Sequence, residues 1–193
     1  MQKIVECVPN FSEGRDLALI EKITSCIAQV EGVTLLDVDP GADTNRTVVT
    51  FVGGPEAAVE AAFQGIKRAS ELIDMRKHKG AHARMGATDV CPFIPVSDMT
   101  MEECADLSRM LGKRVGEELN IPVYLYEYSA ATPERENLAN IRAGEYEGLS
   151  EKLKDPHWKP DLGPAEFNAR SGATVMGARK FLIAYNVNLN TRD

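Results

Sequence analysis

Apolar residues recur at two different periods along this chain, and the alternation between them lays out most of its architecture. Residues 15–30 place Leu17, Ile20, Ile23, Ile27 and Val30 three and four apart, the spacing of one helix face. A second such face runs through Ala58, Ala62, Ile66, Ala69 and Ile73. It opens on Gly53-Gly54-Pro55, where proline suits the first turn and Glu56 lies near the positive end of the helix. Thr100 followed by Glu103 has the pattern of a capping box and starts a third helix, which Asn120 and Pro122 end. Between the helices lie β-prone runs at residues 4–8, 33–38, 47–52, 89–96 and 121–126. The order is strand–helix–strand–strand–helix–strand–helix–strand. It predicts an α/β (α+β sandwich) fold, a mixed β-sheet with helices on one face, and not the regular alternation of a doubly wound nucleotide fold.

Beyond Tyr128 the texture changes. Residues 133–142 and 144–154 read as short helices, followed by Asp155-Pro-His-Trp-Lys-Pro-Asp-Leu-Gly-Pro164. Such a proline- and glycine-punctuated run wraps a surface and often lines a binding site. Residues 180–189 return to strand character. A chain of 193 residues suits one good core, and 44% hydrophobic with 26% charged residues is ordinary for a soluble globular protein. The net charge of -7 and a pI near 5.1 argue against general nucleic-acid binding, while leaving room for a local basic pocket. The first residues lack the apolar stretch of a secretory signal, and no apolar run approaches the roughly 18 residues that span a bilayer. No membrane association is therefore expected, and the expected compartment is cytoplasmic. Cys7, Cys26, Cys91 and Cys104 are widely spaced and read as reduced thiols, not as a disulfide framework or a zinc site.

The local exception to the acidic balance is Arg76-Lys-His-Lys-Gly-Ala-His-Ala-Arg84, with four cations in nine residues and two of the chain's three histidines. Cations, glycines and an imidazole ahead of a strand read either as an anion-receiving catalytic loop or as a solvated basic turn. His78 and His82 have the spacing of a helical metal site, but Gly80 lies between them and the surrounding cations oppose a divalent ion, so no metal is expected. Asp39 and Asp43 sit in the loop between two strands, where a carboxylate orients a histidine or simply shapes a turn. Asn10, Arg46, Lys79, Arg84 and Arg142 are candidate clamps for substrate carboxylates.

Four separated stretches resemble one family in the same order. They are Glu6-Cys-Val-Pro-Asn-Phe-Ser-Glu-Gly14, Asp37-Val-Asp-Pro-Gly-Ala-Asp-Thr-Asn-Arg-Thr-Val48, the histidine segment Lys79-Gly-Ala-His-Ala-Arg-Met-Gly-Ala-Thr-Asp-Val-Cys-Pro-Phe-Ile-Pro-Val96, and Gly163-Pro-Ala-Glu-Phe-Asn-Ala-Arg-Ser-Gly-Ala-Thr174. The chain resembles the glutamate formiminotransferase family from end to end. The resemblance implies a ferredoxin-like layered arrangement and the transfer of a formimino group from N-formimino-L-glutamate to N5 of tetrahydrofolate as co-substrate. It implies His82 as the residue that moves the proton; of the two loop carboxylates that could orient it, Asp39 is the better candidate. Folate contact falls to Gly163, Pro164, Ala165, Glu166, Phe167, Asn168, Ala169, Arg170, Ser171 and Gly172.

One departure from the family matters. Its members carry a second subdomain after the Ala184-Tyr-Asn-Val-Asn-Leu189 run, whereas this chain stops at Asp193. The expectation is a subdomain over residues 1–179 and the start of another over 180–193. A bare sheet face would then favour a homodimer. The alternative is a stand-alone subdomain that binds folate or another anion without turning it over, or a piece of a longer enzyme.

Overall fold

The structure, a computed structural model, describes residues 2–183. The first strand line is broken in two, β1 (Ile4–Cys7) and β2 (Asn10–Phe11), at Val8-Pro9, because proline has no N–H for a ladder. α1 (Leu17–Ala28) begins at Asp16, whose carboxylate accepts the Leu19 N–H at 3.0 Å. β3 (Val33–Gly41) and β4 (Arg46–Gly53) form an antiparallel hairpin, and α2 (Pro55–Leu72) follows with its proline in the first turn. After the basic loop come β5 (Thr88–Ser97), α3 (Met101–Leu119) and β6 (Val123–Glu127). The capping box of α3 is closed both ways, Glu103 N–H to Thr100 Oγ1 at 3.1 Å and Thr100 N–H to Glu103 Oε2 at 2.7 Å. Three short helices, α4 (Pro133–Glu136), α5 (Leu138–Arg142) and α6 (Glu145–Lys152), precede a 3-10 turn at Pro156–Trp158 and a last strand, β7 (Thr174–Ala178).

The strands form one sheet in the order β3, β4, β1 with β2, β5, β7, β6. From β1 to β5 every pairing is antiparallel, and β1–α1–β3–β4–α2–β5 is the split βαβ arrangement of ferredoxin-like folds. β7 enters parallel to both β5 and β6 and lies between them. The main core lies between the sheet and α1, α2 and α3. Phe51, Phe93, Val49 and Cys91 meet Ile23, Ile27, Phe63, Ile66, Leu111 and Val115 there. β4 shows why the sheet has two unlike faces. Thr47, Val49, Phe51 and Gly53 are buried, while Arg46, Val48, Thr50 and Val52 turn the other way.

The expectation of helices on one face holds for the three long helices. At the far end of the sheet, α5 and α6 cover the opposite face through a second cluster of Ile141, Leu149 and Leu153 with Tyr124, Tyr126 and Val175. β6 and β7 are therefore buried on both sides. Among the described residues the other face of β4, β1 and β2 keeps no such cover, and the candidate site lies on it. The strand expected over residues 180–189 is absent from 180–183, and its remainder lies outside the described residues. Among the described residues, no helix is long and apolar enough to cross a membrane. The four cysteines are free thiols, with the buried Cys7 and Cys91 sulfurs 3.5 Å apart.

Candidate active site

A groove of about 990 Å³ crosses the uncovered face, and Asn10, Asp39, Arg46, His82 and Arg142 all line it. Each arrives for a local reason. Arg46 is an outward position of β4, Asn10 sits at the break between β1 and β2, and Arg142 ends α5. His82 is carried by an irregular loop whose backbone is held from two sides. Gly80 packs against the β3–β4 turn so closely that a Cβ there would lie 2.1 Å from the Thr44 carbonyl oxygen. Asn45 Nδ2 donates to Lys79 O at 2.9 Å, and the Ala81 N–H reaches Asp43 O at 3.3 Å. On the other side, Ala87 N–H donates to Ser171 O at 2.8 Å and Ala173 N–H to Met85 O at 3.1 Å. Gly172 adopts φ +68 at this junction, a conformation that favours glycine.

The His82 imidazole is half-buried and its tautomer follows from its contacts. Nδ1 lies 2.6 Å from the Ala83 carbonyl oxygen, which only accepts, so Nδ1 carries the hydrogen. The Arg46 Nη1, 3.2 Å from the same nitrogen, is therefore a neighbouring charge and not a donor to it. Nε2 keeps its lone pair and has no hydrogen-bond partner among the described residues. Burial lowers the pKa of His82 from 6.5, and the Arg46 and then Arg142 charges push the same way, against the Ala83 carbonyl and Asp89. The ring is neutral at pH 7 and basic at Nε2.

Behind it, wholly buried Asp89 joins three elements. Its Oδ2 accepts Arg46 Nη1 and Arg142 Nη2, each at 2.5 Å, and its Oδ1 accepts the Met85 N–H at 2.9 Å. Asn10 Oδ1 holds the rest of Arg46, accepting from Nε at 3.0 Å and from Nη2 at 2.7 Å. Asn10 is itself oriented by donating Nδ2–H to Val8 O at 2.8 Å. Two guanidiniums share one carboxylate, so this cluster keeps one positive charge beside a neutral imidazole, while Glu6, Asp39, Glu127, Glu136 and Arg179 line the rest of the groove.

Not every candidate from the sequence joins this cluster. Asp39 lines the groove but is exposed and makes no hydrogen bond to His82; the contact that orients the ring is the Ala83 carbonyl. Arg84 turns away from the groove. Its guanidinium is engaged with Glu147 at 2.6 and 2.7 Å, Glu145 at 2.9 Å and His78 Nδ1 at 3.2 Å, so it binds the loop to α6. Lys79 is exposed in a separate small cleft with Arg84, Glu145 and Glu147. His78 donates from Nε2 to Asn45 O at 2.8 Å and accepts Arg84 at Nδ1, which leaves neither nitrogen for a metal. Among the described residues, no three His, Cys, Asp or Glu side chains are grouped to hold one.

Residues 163–172 do not line the groove. Ser171 and Gly172 pair with the segment that follows His82, through Ser171 O and the Gly86–Gly172 bridge. Gly163, with φ +78, lies against Gly116 of α3, and Arg170 donates to Ser70 O and Glu71 O at the end of α2. Pro164, Ala165 and Glu166 continue this loop to Phe167, which is 38% exposed with its ring 5.6 Å from that of Tyr146. Tyr146 Oη donates to Ala169 O and Asn168 Nδ2 to Asn120 O. Asp89 is the site residue that the sequence reading passed over, as the first residue of a strand. A carboxylate inside a run that is otherwise apolar was the available signal.

Residues 4–179 match the formiminotransferase domain, N-terminal subdomain. The chain is 59% identical over 189 residues to formimidoyltransferase-cyclodeaminase of Mus musculus, covering 98% of this chain and 35% of that protein. It is 55% identical over 192 residues to glutamate formimidoyltransferase of Thermoplasma acidophilum, covering 98% and 63% respectively. With the glutamate formimidoyltransferase of Streptococcus pyogenes serotype M1 the identity is 51% over 191 residues, covering 99% and 64%. The chain thus spans 35% of the length of the two-activity relative and just under two-thirds of the length of the other two. Family match and identities of this size over nearly the whole chain establish that it belongs to the formiminotransferase family, as the N-terminal subdomain of that domain.

Proposed function

We propose that this chain carries the catalytic histidine of a glutamate formimidoyltransferase. The reaction moves the formimino group of N-formimino-L-glutamate to N5 of tetrahydrofolate, giving 5-formiminotetrahydrofolate and glutamate, as in histidine degradation and one-carbon metabolism. The observation that carries this reading is a neutral His82 whose Nε2 has no partner among the described residues, set in the groove beside two guanidiniums that share one buried carboxylate. N5 of tetrahydrofolate attacks the formimino carbon, and a C–N bond forms as that carbon becomes tetrahedral. Nε2 takes the proton from N5 and returns it to the glutamate nitrogen, whose C–N bond then breaks. Proton and electron pair balance with no metal. The names of the relatives, formimidoyltransferase and glutamate formimidoyltransferase, support the substrate class.

Tetrahydrofolate is the second ligand, and Phe167 is the aromatic surface that residues 163–172 offer to its pteridine. Residues 163–172 lie outside the groove that His82 lines, and their link to it is the backbone pairing of Ser171 with the segment after His82. The reading includes a cytoplasmic homodimer, supported by exposed Leu36 on β3 and exposed Phe181 and Leu182 beside the groove.

His82→Ala tests the proposal in the full-length protein. Turnover should fall by about 10²–10⁴-fold, the usual contribution of a general acid–base group, with KM for both substrates little changed. An equal loss in kcat and affinity, or unchanged turnover, would contradict it. Folate binding without turnover in the unaltered protein would make the chain a binding module instead.

A further inference from the structure

Arg142 reaches the groove from the end of a five-residue helix, too short to be stable by itself. Its guanidinium makes one hydrogen bond among the described residues, to Asp89, so its place depends on how α5 ends. The start of α5 is capped by Asn137, whose Oδ1 accepts the Ala139 N–H at 2.9 Å. Its end is closed by Lys152, the last residue of α6. The ammonium donates to Asn140 O at 3.3 Å, to Ala143 O at 2.9 Å and to Ile141 O. All of its N–H donors thus go to carbonyls on either side of Arg142.

Lysine over a helix C-terminus is commonplace at a surface. Here the group is half-buried, the Trp158 ring centroid lies 4.2 Å from Nζ, and no carboxylate pairs with it among the described residues. Burial disfavours its charge, and Arg135 adds to that against Glu134. The other end of α6 is tied to the histidine loop. Glu145 and Glu147 hold the Arg84 guanidinium, and the Tyr146 N–H donates to Arg84 O at 2.9 Å. Leu149, between the two ends, is wholly buried. α6 is therefore a strut from the loop that carries His82 to the backbone that carries Arg142.

We infer that Lys152 is a positioning residue of this site, fixing the end of α5 so that Arg142 stays on Asp89 at the His82 groove. Its consequence for catalysis rests on the formimidoyltransferase reading. The Arg142 charge is one of those that keep the imidazole neutral. Arg46 on β4 acts in the same direction and Asp89 on β5 against it, while Glu6, Asp39, Glu127, Glu136 and Arg179 line the same groove. Without Lys152 the end of α5 loses its anchor, and the effect of Arg142 on the ring weakens.

The test titrates His82 without turnover. Diethyl pyrocarbonate acylates an unprotonated imidazole nitrogen, and mass spectrometry of the His82 peptide gives the reaction rate against pH. It is applied to the full-length protein, to Lys152→Met, Lys152→Arg and Arg142→Met, and to Lys152→Met combined with Arg142→Met. The midpoint lies below 6.5 in the unaltered protein and should rise toward 6.5 in Lys152→Met. Lys152→Arg keeps the charge and N–H donors and should restore at least part of the difference. With Arg142→Met in place, Lys152→Met should add nothing, because its action passes through Arg142. Turnover should follow, with kcat/KM lower by about 10-fold in Lys152→Met, as for a small displacement within a site. Should Lys152→Met fail to fold, Lys152→Gln, which keeps an N–H donor group without the charge, should move the midpoint the same way by less. An unmoved midpoint in a folded variant assigns Lys152 to stability alone and overturns the inference. So does an equal rise with Arg142→Met in place, which would mark a direct effect of the lost charge. A protein that shows these midpoints but no turnover bears out the positioning and defeats the formimidoyltransferase reading.

Discussion

Replacing Asp89 with alanine tests how much of the site's geometry depends on one carboxylate. The substitution removes two charge-assisted hydrogen bonds of 2.5 Å, to Arg46 and Arg142, and leaves the Met85 N–H without its acceptor. Breaking a buried ion pair by deleting one partner typically costs about 3–5 kcal/mol, mostly because the remaining charge is stranded. Two features put this case at the lower end. Arg46 keeps its bonds to Asn10, and the Arg46 and Arg142 side chains, 12% and 15% exposed, retain some access to water. The expected loss is about 3 kcal/mol, a large part of the ~5–15 kcal/mol by which a domain is stable. Urea unfolding followed by fluorescence and by far-UV circular dichroism should show a lower midpoint at unchanged slope. Asp89→Asn should lose less, since its amide oxygen still accepts the Met85 N–H. A loss below about 1 kcal/mol in Asp89→Ala would show that the arginines find other partners freely, and the account of a carboxylate-organised site would fail.

Two further outcomes follow from the same geometry. His78 and His82 both have pKa values lowered from 6.5, first by burial, so each is neutral in the folded state and takes up a proton more readily when unfolded. Stability is then fully present above about 6.5 and declines as pH falls through that value and below it, and the acid limb of kcat/KM should lie below 6.5; a flat profile of the unfolding midpoint between pH 7 and 5, or an acid limb above neutrality, would refute this. Sedimentation equilibrium should return a homodimer whose dissociation is promoted by Leu36→Lys, and a monomer at high concentration would remove the self-association proposal.

The parts of the fold that the sequence displays are those where one side of an element meets the core and the other meets water. α1, α2, α3 and β4 are of this kind, and their periodicity matches their burial except at Leu17, which opens α1 and is 64% exposed. β7 was not legible for the opposite reason. Thr174, Val175, Met176, Gly177 and Ala178 are buried on both faces, so no alternation marks them. Gly177 adds a residue that usually signals a turn, but here a Cβ would lie 2.4 Å from the Tyr126 carbonyl oxygen, so the glycine serves close strand packing. The site divides along a similar line. His82, Arg46 and Asn10 carry chemistry that can be read one residue at a time. Arg84 and Lys79 looked equally suitable because charge density along the chain does not show which cations already have partners. Asp89 gains its meaning only from Arg46 and Arg142, 43 and 53 residues away in sequence.

The place of β7 in the sheet bears on synthesis as well as on shape. β5 and β6 are separated by the width of one strand, and the strand that fills the gap is translated after both of them and after three short helices. Until residues 174–178 have left the ribosome, the nascent chain carries two facing strand edges with unmet N–H and C=O groups. Edges of this kind invite pairing with other chains. Ser171 and Ala173, which clasp the backbone around Met85 and Ala87, emerge in the same interval. A ribosome stalled shortly before that point would hold a polypeptide with its long helices complete and its histidine loop unfastened. Such an intermediate is a natural client for a chaperone that shields strand edges.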